Sequence, residues 1–238
     1  MNNQPHTFPT IYKDKFGQVK TKIENRFDEE TSYSLSLTIN GVQFRGSSFD
    51  DFELVHPENY SEESLNRFTF NKVKIWNSDK YVFELCNCEL HFQIPVKIID
   101  IKNNTEIDTE IFIELSLGNP AKNGGIDFEN AKFNITLNNE NYISEGDVFE
   151  DALVELQNQF KGKYHFKNCF GCLYSDYSPY GNGFFGDLLC FRNCKSEYLR
   201  ANSKSLLIDL IENQGVAVQE TWCCKEFKER KMNTGYRG

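Results

Sequence analysis

The residues of this chain whose types and spacing could do chemistry are its cysteines, and six of the eight lie between positions 169 and 224. Cys169 and Cys172 form a C-x2-C pair, a spacing that turns two sulfur atoms towards one tetrahedral metal ion. Cys190 and the adjacent pair of Cys223 and Cys224 follow further along the chain. Two residues that are adjacent on a strand point to opposite faces, so only one of that pair faces the metal. The predicted zinc ligands are Cys169, Cys172, Cys190 and Cys224, with Cys194 as the alternative fourth ligand.

A zinc ion held by four thiolates has no open position for water, so the predicted site has a structural role. The same residues leave two alternatives open: reduced thiols in the core, and a redox or iron–sulfur centre. His165 lies four residues before Cys169 and could replace one cysteine, although a satisfied surface or core histidine is the commoner case. Cys86 and Cys88 share one face of a predicted strand and are interpreted as buried core thiols.

The stretch between the two halves of the cysteine set, Ser175 to Asp187, is rich in glycine and aromatic residues. Tyrosine and phenylalanine in ordered loops make good contact residues, and carboxylates can anchor a ligand. One interpretation is a recognition loop or a small-ligand pocket, and the other is an aromatic mini-core that covers the metal site. The candidate binding residues are Asp176, Tyr177, Tyr180, Phe184, Phe185 and Asp187.

Motifs in about the last 70 residues resemble a bacterial family of uncharacterised proteins. The motifs are C-x2-C followed by SDYSPYG, then CFRN at 190–193, QET at 219–221 with Cys224, and TGYRG at 234–238. The resemblance implies a β-rich N-terminal part before a cysteine-bearing module, and it implies no established activity. Residues 1–140 contain no motif that indicates a family.

Alternating apolar and polar residues predict β-strands over most of residues 17–143. Asn40-Gly41 lies between two alternating runs and predicts a hairpin with a type I′ turn, since that turn needs positive φ at both positions. Two more hairpins are predicted, around residues 102–105 and between Leu137 and Tyr142. The long strand candidate that starts at Tyr81 reaches Pro95, where an edge or a bend is expected.

Helical spacing replaces alternation after residue 144. Asp147 and Glu150 predict a capping box for the first helix, and a second helix is predicted over 203–213 with Gly215 as its end. The first helix has as its apolar residues Phe149, Ala152, Leu153, Leu156 and Phe160. We therefore predict the α+β class. In this prediction a β-sandwich-like part, residues 1–143, precedes a cysteine-rich, zinc-stabilised α+β module, residues 144–238, as two domains or one continuous domain.

Charge and hydropathy exclude several classes of protein. The chain has 238 residues, a net charge of -9 and a sequence pI of about 5.1, which argue against a general nucleic-acid coat. The mean hydropathy of -0.56 and the absence of a long apolar run exclude a multi-span membrane protein. The first residues do not have the pattern of a secretory signal, so a cytoplasmic location is expected. Residues 1–160 contain 14 Lys and Arg against 27 Asp and Glu, a net charge of -13 that could attract a basic partner.

These observations favour a binding protein over an enzyme, because the chain contains neither H-E-x-x-H nor G-x-S-x-G nor a phosphate-binding P-loop. We predict an immunity-type protein that binds and neutralises a cognate toxin, in which zinc is structural. One alternative is an enzyme or small-ligand protein with a pocket at Ser175–Asp187. The other is a zinc-containing nucleic-acid adaptor, for which the acidic N-terminal part is unfavourable. The adaptor would use the basic residues Lys225, Lys228, Arg230, Lys231 and Arg237.

Overall fold

Antiparallel β-structure dominates the fold. The computed structural model describes residues 6–26, 34–75, 77–122, 124–180, 184–231 and 234. The strands of the large sheet are β1 (His6–Asp14), β2 (Gly17–Asn25), β3 (Leu35–Ile39), β4 (Val42–Gly46), β5 (Glu53–Leu54), β6 (Thr69–Lys74), β7 (Tyr81–Cys86), β8 (Cys88–Asp100), β9 (Thr105–Leu117), β10 (Glu129–Leu137), β11 (Glu140–Gly146) and β12 (Tyr164–Phe166). Within the described ranges their order is β11-β10-β9-β8-β1-β2-β3-β4-β5-β7-β6, and β12 also pairs with β8.

The remaining elements are short. A second sheet consists of β13 (Ser175–Asp176), β14 (Leu188–Cys190) and β15 (Val216–Val218), in that order. The helices are α1 (Glu62–Leu65), α2 (Phe149–Gln159), α3 (Lys195–Tyr198) and α4 (Lys204–Gln214), together with a 3₁₀ turn at Pro57–Asn59. None of the helices in the described residues is long and apolar enough to span a membrane.

The predicted fold class, an α+β chain with a β-sandwich-like part and a cysteine-rich α+β module, is wrong. The structure is mostly antiparallel sheet, and α1 and α3 are single turns. The helical spacing after residue 144 does form α2 and α4, but β12 then returns to pair with β8 in the large sheet. Strand pairing between residues far apart in sequence therefore decides the class. The proposed domain limit between residues 143 and 144 stays a prediction.

The chain divides into two compact units. Unit 1 consists of residues 1–93, 112–133 and 145–147, and unit 2 of residues 94–111, 134–144 and 148–238. The core of unit 1 is aromatic, with the ring of Phe49 at 4.6 Å from that of Phe92. The core of unit 2 is aromatic as well, with Phe160 at 5.2 Å from Tyr142 and 5.3 Å from Phe166. Edge-to-face and tilted ring pairs of this kind add stability beyond the apolar area that they bury.

The predicted hairpins are present. Asn40 (φ 49°) and Gly41 (φ 85°) both have positive φ and join β3 to β4, as a type I′ turn requires. Asn138 and Asn139 also have positive φ, at 48° and 65°, between β10 and β11. Asn104 (φ 52°) precedes β9. Asparagine tolerates the left-handed region better than most other non-glycine residues do, which suits it to these turns.

Pro95, where an edge or a bend is expected, lies within β8, which continues to Asp100. On one side of β8, residues 89–92 pair with β1 and residues 98–100 pair with β12. The Lys97 carbonyl accepts from Lys167 on that same side. Main-chain groups two residues apart point to the same side of a strand, so the missing N–H of Pro95 lies in the stretch between the two partner strands.

The helix ends agree with the sequence only in part. α4 begins as predicted, since the Ser203 hydroxyl accepts from the Leu206 N–H, and Gly215 is its C-cap. The capping box of α2 is wrong, because Val148 is the N-cap residue and makes no side-chain cap. Glu150 instead lies in the first helical turn, where its charge interacts favourably with the helix dipole.

An ion pair in unit 1 gives a stability prediction. The Arg67 guanidinium donates to Asp14 through Nε (2.7 Å) and Nη2 (3.0 Å), and the Asp14 side chain is only 3% exposed. Removing the guanidinium leaves a buried carboxylate without its cation. Arg67→Ala is expected to lower the free energy of unfolding by about 3 kcal/mol, measured by urea denaturation. The control is Arg200→Ala, which removes an exposed pair with Glu197 and is expected to change stability by less than about 1 kcal/mol. Equal effects would contradict the prediction.

Candidate functional site

The structure brings the predicted zinc ligands into one region of unit 2. Cys169 and Cys172 lie after β12, Cys190 ends β14, and Cys224 lies in the segment after β15. The first three are buried, Cys224 is half-buried, and all are free thiols. Burial raises the pKa of Cys169, and the neighbouring thiols of Cys190, Cys172 and Cys224 raise it further. Ser175 links three of them, because its hydroxyl donates to the carbonyls of Cys169 (2.5 Å) and Cys172 (3.0 Å) and it pairs with Cys190 between β13 and β14.

A tight turn positions the C-x2-C pair. The Cys172 N–H donates to the Cys169 carbonyl (3.1 Å), and the Gly171 N–H donates to Oδ1 of Asn168 (3.1 Å). A Cβ atom on residue 171 would collide with the carbonyl oxygen of Phe166. Close approach of the main chain, rather than positive φ, therefore explains the glycine at this position.

Main-chain hydrogen bonds join the C-terminal segment, residues 219–230, to this turn. The bonds are Cys169 N–H to Trp222 O (2.6 Å), Phe170 N–H to Glu220 O (3.0 Å), Leu173 N–H to Lys228 O (2.6 Å) and Arg230 N–H to Gly171 O (3.0 Å). The Arg192 guanidinium also lies 5.3 Å from the ring of Trp222. Cys224 is near the C-x2-C pair because the segment that carries it is hydrogen-bonded on both sides of it.

The rival ligands are placed differently. Cys194 is buried among Phe191, Tyr198 and Leu207, so it is a core thiol. Cys223 is half-buried, and after burial itself the neighbour that most raises its pKa is Cys224. Cys223 therefore belongs to the same region as the predicted ligands. His165 makes a hydrogen bond through Nε2 to the Gly171 carbonyl (2.9 Å).

Cys169 and Cys190 are poor nucleophiles as they stand. Burial raises the pKa values of Cys169 and Cys190, and the main-chain N–H of Arg192, which donates to Cys190, offsets only part of this effect. A thiol with a raised pKa contains little of the reactive thiolate at neutral pH. Across the ranges that the structure describes, no three His, Cys, Asp or Glu side chains are already arranged to hold a metal ion. Zinc binding therefore stays a prediction.

The predicted contact residues of the aromatic loop are mostly buried. Asp176, Tyr177, Phe184 and Phe185 are all at most 6% exposed, whereas Tyr180 is 73% exposed and Asp187 is exposed. Residues 181–183 lie outside the described residues. Both phenylalanine rings pack on Phe149, at 5.4 Å and 5.1 Å. The described part of the loop thus has the form of the aromatic mini-core, with Tyr180 as its exposed aromatic residue.

Buried polar groups hold the loop from inside. The Tyr198 hydroxyl donates to Oδ2 of Asp176 (2.9 Å), and Nη2 of Arg230 donates to that hydroxyl (3.0 Å). Glu220 is fully buried and accepts from the Gly186 N–H (2.8 Å) and the Tyr177 hydroxyl (3.3 Å). Arg230 and Glu220 lie in the same C-terminal segment as Cys224. That segment therefore connects the loop to the cysteines.

Comparison with protein families matches residues 6–175 to DUF6304, a family of unknown function. The chain belongs to this family. No curated protein and no solved structure matches this DUF6304 chain. The resemblance inferred from the C-terminal motifs is confirmed only in that the chain belongs to an uncharacterised family. The match lies mostly in the N-terminal part, where no motif indicated a family, and it ends at Ser175, so the motifs beyond that residue are not confirmed.

A group of carboxylates in unit 1 of this DUF6304 protein is not apparent from the sequence. Glu129, in β10, is half-buried, and its Oε1 atom has no hydrogen-bond partner among the described residues. Burial raises the pKa of Glu129 to about 8, and the charges of Asp50 and Asp147 contribute to this shift. We call this group the acidic cluster; its members are Asp50, Asp51, Glu53, Glu84, Glu129 and Asp147.

Glu84 in β7 shows the same effect. Burial raises its pKa, and the charges of Asp51, Glu53 and Asp50 raise that pKa further. A hydrogen bond from Asn71 (3.1 Å) acts in the opposite direction. The one local signal in the sequence is a glutamate within the apolar run YVFELC, because an acidic residue in a buried strand needs a reason.

Burial of Glu220 gives a prediction about pH. Its pKa is raised to about 8 in the folded chain against an ordinary value of 4.5, so the folded state binds a proton more tightly. This contribution to stability is complete below about pH 4.5 and is lost as the pH rises through about 8, at up to about 1.4 kcal/mol per pH unit. Glu220→Gln is therefore expected to flatten the decline in the free energy of unfolding between pH 5 and pH 8, measured by urea denaturation. The control is Glu212→Gln, an exposed change in α4, and identical slopes for both variants would contradict the prediction.

Proposed function

We propose that this DUF6304 protein is a cytoplasmic binding protein of the immunity type, which binds and neutralises a cognate basic toxin. The observation that carries the proposal is the acidic cluster, and above all the buried Oε1 atom of Glu129, which has no donor among the described residues. Most buried polar atoms in native proteins have a hydrogen-bond partner. A cationic side chain of a partner protein would supply the missing donor.

The charges of the cluster support a cationic partner. Asp50 and Asp147 disfavour ionisation of Glu129, and Asp50, Asp51 and Glu53 disfavour ionisation of Glu84. An incoming positive charge would convert this repulsion into attraction. An arginine is the best match, because its guanidinium presents five N–H donors in a fixed geometry that suits carboxylates.

The distribution of charge supports rapid association. Residues 1–160 have a net charge of -13, which would attract a basic protein before the two surfaces touch. Many toxins are basic nucleases, and a protein that occupies their nucleic-acid-binding surface blocks their activity. The eight free thiols are consistent with the cytoplasm, where disulfides are rare.

The two alternatives have less support. A ligand pocket at Ser175–Asp187 would use four side chains that are buried in the aromatic mini-core. A nucleic-acid adaptor would use Arg230, whose Nη1 and Nη2 atoms donate to Thr234 O and Tyr198 Oη within the fold. Arg237 lies outside the described residues.

Reversal of one charge in the acidic cluster tests the proposal. The tagged wild-type protein is expected to capture one basic protein at stoichiometric yield from its native cells, and Glu129→Lys is expected to reduce the yield at least tenfold through repulsion of the cation. Glu212→Lys, which makes the same change at an exposed site in α4, should leave capture unchanged. Circular dichroism checks that both variants fold. Equal capture by both variants, or recovery of nucleic acid instead of a basic protein, would overturn the proposal.

The pH dependence of binding provides a second prediction for the purified pair. A cation binds the ionised form of Glu129, and its pKa of about 8 means that protons compete with the partner at neutral pH. The affinity is therefore expected to rise as the pH is raised from 7 to 9, measured by calorimetry at constant salt. Glu129→Gln should remove most of this rise, and an unchanged rise in the variant would show that other groups cause it.

A further inference from the structure

We propose that Cys169, Cys172, Cys190 and Cys224 bind one zinc ion, which clamps residues 219–230 to the rest of unit 2. This inference does not rest on the proposed function, since the acidic cluster lies in unit 1. Two separate observations support it: four thiols from three separate stretches of chain converge on one region, and main-chain bonds already hold two of these stretches together.

The convergence differs from the way in which other buried cysteines are placed. Cys194 is surrounded by Phe191, Tyr198 and Leu207, as is usual for a core thiol. Hydrogen bonds join Cys169, in contrast, to the two other stretches of chain. Its N–H donates to the Trp222 carbonyl (2.6 Å), and its carbonyl accepts from the hydroxyl of Ser175 (2.5 Å), the residue that pairs with Cys190. Four thiols gathered from distant positions match the ligand set of a structural zinc site.

The local main chain suits thiolate ligands. The Arg192 N–H donates a hydrogen bond to Cys190, and such a bond stabilises the thiolate form that a metal needs. Asn168 is fully buried beside Cys169, and its Nδ2 atom has no hydrogen-bond partner among the described residues. This unused N–H donor lies next to the cysteines and could donate a hydrogen bond to a metal-bound sulfur atom.

The fold around the cysteines is short of other stabilising elements. β13, β14 and β15 contain only two or three residues each, and strands of this length contribute few cross-strand contacts. The segment after β15 has no regular secondary structure up to residue 231 apart from a bridge between Cys172 and Glu229. A metal that joins Cys224 to the other three ligands would hold this segment in place through coordination bonds. The free energy of zinc binding would then add to the free energy of folding.

Cys224 is preferred over Cys223 as the fourth ligand. The Cys223 thiol already donates a hydrogen bond to the main-chain carbonyl of Cys224 (3.7 Å), so its sulfur atom is engaged within its own segment. Zinc binding would place each of the four sulfur atoms about 2.3 Å from the ion.

Metal analysis of the full chain tests the proposal. The protein is purified without chelator and its zinc is measured by mass spectrometry, with about one zinc per chain expected. Cobalt is then exchanged for zinc, and a tetrahedral centre with thiolate ligands should give intense visible and charge-transfer absorption. Protein with no zinc, no cobalt–thiolate absorption and a melting temperature unaffected by zinc or chelator would overturn the proposal.

Serine variants identify the ligands. Cys169→Ser and Cys224→Ser are expected to reduce bound zinc at least tenfold, whereas Cys194→Ser and Cys223→Ser retain it. Because a variant that fails to bind could simply fail to fold, limited proteolysis of the wild-type protein with and without chelator provides the second measurement. Chelation is expected to expose residues 219–230 to cleavage while residues 6–26 stay protected. Zinc retained by both Cys169→Ser and Cys224→Ser, or cleavage unaffected by chelator, would show that these four cysteines do not form the site.

Discussion

The main-chain hydrogen bonds between residues 169–173 and residues 220–230 decide which side chains meet in unit 2. They run from Cys169, Phe170, Leu173 and Arg230 and join two parts of the chain about 50 residues apart. Cys224, Glu220 and Arg230 all occupy their positions because of this attachment. If it were absent, the cysteines would be separated, Glu220 would lose its burial, and the aromatic loop would lose the bonds that hold it from within.

The two carboxyl groups with pKa values of about 8 illustrate two different uses of burial. Glu220 is fully buried but accepts hydrogen bonds from Gly186 and Tyr177, so its surroundings are complete within the fold. Glu129 is less buried, yet one of its oxygen atoms has no partner among the described residues, and its neighbours are carboxylates. A satisfied group of the first kind is a structural element, whereas a group of the second kind is a reason to look for a ligand.

Short-range chemistry explains what could be predicted from the sequence. The Asn40-Gly41 hairpin and the Ser203 cap of α4 depend on residues a few positions apart, and both were predicted. Spacing and residue type restrict the partners of a cysteine in the same way, and the shared site of Cys169, Cys172, Cys190 and Cys224 that they predict stays a prediction. The binding of zinc itself stays a prediction.

Long-range pairing explains what could not be predicted. The return of β12 to β8 depends on an interaction between residues more than 60 positions apart. The acidic cluster has the same origin, since it gathers carboxylates from three strands and two loops. In a chain with 35 acidic residues, no single one of them stands out before the strands are paired. Burial of the aromatic loop also depends on Phe149, which is distant in sequence.

Pro95 has a consequence for how this chain behaves at high concentration. The stretch of β8 between the residues paired with β1 and those paired with β12 has main-chain groups that neither strand takes up in the described pairing. An open stretch of this kind is a place where a strand from another molecule could add and start aggregation. Proline interrupts the row of donors there without ending the strand, so β8 can remain long while this stretch offers one N–H donor fewer to a strand from another molecule.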